Sequence, residues 1–94
     1  MIRTAVVGST SGLHARAAAV LARAAADQAV PVLVGTPGHL PVPADSVLGL
    51  LTLAANRGAE LTLEADGAGA AAALATLTTL IESDLDAPRG GGGA

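Results

Sequence analysis

The chain has 94 residues, enough for one domain with one core and too few for two. It is 51% hydrophobic without a single aromatic residue, so its interior has to be assembled from Val, Leu, Ile and much Ala. A formal net charge of −3, five Arg, no Lys and no basic cluster argue against a nucleic-acid surface. Cysteine is absent, which excludes a disulfide framework and thiolate metal ligation.

Met1 to Val7 has the length and β-branched content of a strand, and Gly8-Ser9-Thr10-Ser11-Gly12 breaks it with turn chemistry. An Ala-rich helix is predicted from Ala15 to about Gln28, with Val20 and Leu21 as its large apolar anchors. Val30 to Val34 reads as a strand that ends at Gly35. His39 to Pro43 can only be a short edge piece, because Pro41 and Pro43 each lack a ladder donor. Asp45 or Ser46 offers an N-cap for a second helix carrying Val47, Leu48, Leu50 and Leu51 and stopping at Asn56-Arg57-Gly58. Ala59 to Ala65 alternates, with Leu61 and Leu63 on a buried face and Glu60, Thr62 and Glu64 on a wet one. After the Asp66-Gly67 turn, Leu74, Leu77, Leu80, Ile81 and Leu85 form the core stripe of a last helix, with Thr78, Glu82 and Asp86 on its polar face.

This order predicts an α+β domain over residues 1–86, with three helices on one side of an antiparallel or mixed sheet. Residues 87–94, Gly-rich, are expected to be a flexible tail. No stretch reaches the roughly 18–20 apolar residues of a membrane span, and Ile2 to Val7 is too short for a signal core. The expectation is a cytoplasmic protein with no membrane association.

Of the two histidines, His39 sits beside Pro37 and Gly38 in a turn and reads as a surface residue. His14 falls between a Gly-containing loop and the first turn of a helix, where backbone amides lack intrahelical acceptors. With His14 as N-cap, the amides of Ala15, Arg16 and Ala17 and the helix dipole would favour an anion at the imidazole. Arg16 adds a guanidinium fork suited to phosphate oxygens. A ring nitrogen can take and release a phosphoryl group, so His14 is the candidate acceptor and Arg16 the candidate stabiliser. A histidine at a helix start also serves simply as a cap, and spacing alone does not choose between the two. No second ligand stands at metal spacing to either histidine, so no metal or other cofactor is expected. Ser46 is explained by capping, yet four large apolar residues in so short a helix cannot all face one sheet. Some of them should therefore be exposed as a docking patch, for which Val47, Leu48 and Leu51 are the candidates, and a phosphate on Ser46 would disturb an acidic partner there.

The segment Gly12-Leu13-His14-Ala15-Arg16 resembles the phosphohistidine motif of the HPr family, phosphocarriers of the bacterial sugar phosphotransferase system. Asp45 to Ala54 is similar to that family's regulatory-serine segment, and Arg57 to Leu63 with Asp66-Gly67 to its last strand and turn. The resemblance implies an open-faced β-sandwich of order β-α-β-β-α-β-α, with a four-stranded antiparallel sheet covered on one face by three helices. It implies that His14 is phosphorylated by enzyme I, with phosphoenolpyruvate as the ultimate donor, and passes the group to sugar-specific IIA domains. The chain would then be a carrier rather than an enzyme, best served as a monomer, and Ser46 the target of a serine kinase in some members. Alternatives of the same fold are a relay to a dihydroxyacetone kinase or a nitrogen branch, or a module whose Ser46 governs binding to a transcription regulator. Two departures stand out: Ala17 where the family usually has Pro, and a Pro-rich turn from Gly35 to Pro43 about one residue longer than is common.

Overall fold

A computed structural model of the chain describes residues 1–85, so Asp86 and the expected tail at 87–94 lie outside the described residues. The elements are β1 (Ile2–Val6), α1 (Ala15–Ala26), β2 (Leu33–Gly35), β3 (Val42–Pro43), α2 (Val47–Thr52), β4 (Glu60–Glu64) and α3 (Ala70–Glu82). All strand pairings are antiparallel, in the order β1-β4-β2-β3. The architecture is the expected open-faced α+β sandwich.

β4 is central and shows why the sheet has two unlike faces. Leu61 and Leu63 are fully buried while Glu60, Thr62 and Glu64 are exposed, as a period of two demands. Opposite them, Ala5 of β1 and Val34 of β2 complete the buried face. The proline-limited β3 takes the edge beside β2, where missing amide donors cost least. β2 begins at Leu33 rather than Val30; Val32 nonetheless stays attached, its carbonyl accepting the Ala44 amide at 2.8 Å.

The helices fill the other layer, and small side chains matter more there than the sequence suggests. α1 buries Leu21 together with Ala17, Ala18, Ala22 and Ala25, while Val20 is only half-buried. Four alanines in one stripe let α1 approach its neighbours closely, so Leu21 alone is its large anchor. In α3, Leu74, Leu77 and Ile81 are buried as expected, Leu80 is half-buried, and Leu85 is buried just beyond the helix. Thr78 is a correction: it lies on the buried side at 5% exposure, and its hydroxyl has no hydrogen-bond partner among the described residues. Leu74, Leu77, Thr78 and Ile81 follow the 3.6-residue period of one inward stripe, which a hydroxyl does not interrupt.

α2 also ends earlier than Asn56. Its last turn tightens, with the Leu53 and Ala54 amides bonding to the Leu50 and Leu51 carbonyls, each at 3.2 Å. Ala54 then takes φ +50°, a left-handed conformation that costs a residue with a Cβ about 1 kcal/mol. The chain reverses at Ala54, four residues before the glycine that a sequence reading takes for the stop.

Two predictions follow from these strained or unsatisfied positions. Ala54→Gly removes the left-handed penalty and should raise the unfolding free energy by about 0.5–1 kcal/mol, read from the urea midpoint. Thr78→Val should stabilise by about 1 kcal/mol, because it replaces an unpartnered buried hydroxyl with a methyl of similar size; an unchanged or lowered midpoint would show that the hydroxyl is satisfied in solution.

Candidate functional site

The site is built by the segment between β1 and α1. Gly8 runs so close to the end of α3 that a Cβ there would lie 2.1 Å from the Glu82 carbonyl, and its amide donates to the Ile81 carbonyl at 3.0 Å. Ser9 is buried, its hydroxyl accepting the Leu85 amide at 3.1 Å. Thr10 donates from both its amide (3.3 Å) and its hydroxyl (3.0 Å) to the Asp84 carboxylate. On the other side Gly12, at φ +76°, passes the Ala55 carbonyl so closely that a Cβ would come within 2.6 Å. Leu13 is buried and donates its amide to that same carbonyl at 2.8 Å. The loop is therefore gripped between residues 81–85 and 55–56 before the chain reaches His14.

His14 is the N-cap of α1. Its backbone is extended (φ −85°, ψ −176°), its carbonyl accepts the first intrahelical bond from Ala18 at 2.8 Å, and its side chain turns back over the helix start. Nδ1 accepts the Arg16 amide at 3.3 Å. A ring nitrogen that accepts an N–H carries a lone pair, so in the neutral ring the proton belongs on Nε2. The nitrogen that carries the lone pair is thus the one aimed at the helix amides. Ala15, Arg16 and Ala17 all precede the first intrahelical bond, and together they form the positive end of the α1 dipole. Ala17 is fully buried, which fixes this turn on the core, while the Arg16 side chain is exposed and makes no ion pair among the described residues.

The other expected residues lie on α2, which packs against α1. Ser46 caps it, the hydroxyl accepting the Gly49 amide at 3.0 Å. Leu48 is 77% exposed, whereas Val47 and Leu51 are half-buried against the core, so the apolar patch centres on one residue. His39 lies apart from α1, in the turn that precedes β3, exposed, with its Nδ1 3.2 Å from the Leu40 carbonyl. Among the described residues no three His, Cys, Asp or Glu side chains are placed to hold a metal ion, and no helix is long and apolar enough to cross a membrane.

Sequence reading singles out His14 and Arg16 but not the residues that grip the segment before them, namely Ser9, Thr10, Ala55 and Asp84. Thr10 and Asp84 are 74 positions apart, and no periodicity links them.

Comparison with known proteins converges on one family. The family model described as the PTS HPr component phosphorylation site matches residues 2–83. The chain is 42% identical over 80 residues to the phosphocarrier protein HPr of Streptomyces coelicolor, covering 85% of this chain and 86% of that protein. Among solved structures it is similar to HPr-C-His from Thermoanaerobacter tengcongensis, with 28% identity, a TM-score of 0.83, and coverage of 95% of this chain and 99% of that one. It is likewise similar to a phosphocarrier protein HPr from Bacillus anthracis, at 26% identity and TM-score 0.80, covering 86% and 95% of the two chains. With a matching family model, a close relative and the shared fold in agreement, the chain belongs to the HPr family of phosphocarrier proteins of the phosphotransferase system.

Proposed function

We propose that this phosphocarrier takes a phosphoryl group from enzyme I onto His14 Nδ1 and delivers it to sugar-specific IIA domains in the cytoplasm, acting as a carrier that depends on its partners for catalysis. The observation that carries the reading is the Arg16 amide donating to His14 Nδ1 at 3.3 Å. In the transfer, the Nδ1 lone pair attacks phosphorus as the bond to the donor breaks, and Nε2 keeps its proton, so the attack itself needs no proton transfer. The incoming oxygens meet the amides of Ala15, Arg16 and Ala17 at a helix start, a ready-made anion site, and the exposed Arg16 guanidinium can close over them. Ala17, where the family usually has proline, adds one amide to that set. The reverse step, in which an acceptor nucleophile attacks the same phosphorus, uses the same groups.

Ser46 supports a regulatory role on the neighbouring helix. Its hydroxyl is the α2 cap, two residues before exposed Leu48, so phosphorylation by a serine kinase would place negative charge at the same end of the helix as the apolar docking residue.

Incubation with enzyme I and labelled phosphoenolpyruvate should give an acid-labile, base-stable phosphate on the native chain and none on His14→Ala; label on that variant refutes the assignment. Arg16→Ala should still accept label but slow transfer roughly 100-fold, as loss of a donor to a developing phosphoryl charge commonly does. Ser46→Ala should lower stability by about 1 kcal/mol through loss of the cap, while Ser46→Asp keeps the cap and the fold but slows phosphorylation by enzyme I.

A further inference from the structure

β1 closes one end of the sheet, so among the described residues one of its long sides has no strand beside it. On its paired side the Met1 carbonyl accepts the Ala65 amide at 3.0 Å and the Val7 amide donates to the Ala59 carbonyl at 2.9 Å, with the register unbroken between. In an antiparallel ladder this alternation commits the odd residues to β4 and turns the N–H and C=O groups of Ile2, Thr4 and Val6 outward. All three are β-branched, and Ile2 and Val6 leave 65% and 41% of their surface exposed on the open face. Such an edge is a template for another strand.

Among the described residues, one of the three outward N–H groups is taken. Val6 N donates to Glu82 Oε2 at 3.0 Å, from an exposed side chain at the last residue of α3. We infer that Glu82 guards the β1 edge against pairing with the β1 strand of a second copy of this chain. A second copy fits because the edge is complementary to itself. Antiparallel pairing about a two-fold at Thr4 sets Ile2 opposite Val6 and Thr4 opposite Thr4, with no charged side chain among these paired residues and the hydrogen-bonding groups in phase. In that arrangement the Val6 N–H would donate to the Ile2 carbonyl of the other copy, so the bond Glu82 makes is one that pairing requires. The Glu82 carboxylate thus occupies a needed donor and sets a negative charge at the strand end, one on each side of the two-fold.

Amide exchange on the native chain tests the contact directly. The Val6 amide should exchange more slowly than those of Ile2 and Thr4, and equal rates would overturn the inference even if the variants fail to fold. In sedimentation equilibrium, Glu82→Ala should tighten self-association at least tenfold over the native chain. Glu82→Gln, whose amide oxygen still accepts, should tighten it much less. Adding Thr4→Pro to Glu82→Ala should restore the native value, since the lost N–H faces away from β4. Glu82→Ala associating no more than the native chain, or an association that survives Thr4→Pro, would refute the guard.

Discussion

The Leu13 amide on the Ala55 carbonyl, with the Leu13 side chain sunk in the core, decides where α1 begins. Everything at His14 depends on that decision. A helix advances 100° per residue, so starting α1 one position later would swing the imidazole to another side of the axis and separate Nδ1 from the Arg16 amide. Gly12 makes the contact possible, because a side chain at that position would collide with the same carbonyl and its φ of +76° suits few other residues. The chemistry of the imidazole is thus set by the packing of the two residues before it.

The exit of α3 serves the opposite side of the same loop. Within five residues, the Ile81 carbonyl receives Gly8, the Asp84 carboxylate receives Thr10, and the Leu85 amide finds the Ser9 hydroxyl. Glu82, in the middle of this run, reaches the sheet edge instead. The loop that leads to His14 is therefore tied to residues 81–85, and the rigidity of the candidate site comes from contacts between segments more than 70 positions apart. A phosphocarrier meets successive partners, and a helix start held from both sides presents the same geometry to each.

How much of this was legible in the sequence differs with the kind of signal. The alternation of Leu61 and Leu63 with Glu60, Thr62 and Glu64 fixed β4 and its faces, since a half-buried strand writes its geometry into hydropathy. The cap at His14 and the cap at Ser46 were readable from local chemistry, and both hold. The end of α2 was not, because the reversal falls on Ala54, a residue type that gives no warning of a left-handed backbone, while Gly58 downstream supplies a plausible but misplaced stop. Thr78 misled for a related reason: a hydroxyl marks a polar position only if it faces water, and a helical period of leucines on either side of it was the stronger signal. For α1 the sequence points to Leu21 and Val20 as anchors because alanine contributes little to an apolar count, yet four alanines are buried beside Leu21 while Val20 is half-buried. The grip of residues 81–85 on the loop depends on tertiary proximity alone and leaves no trace in spacing.

The interior assembled from alanine, valine, leucine and one isoleucine has an experimental consequence. With no Trp, Tyr or Phe anywhere, the chain contributes almost nothing to ultraviolet absorption at aromatic wavelengths or to intrinsic fluorescence. Any such signal in a mixture belongs to the other protein, so the binding of a second protein can be followed through that protein's own rings, against a dark background and without a label.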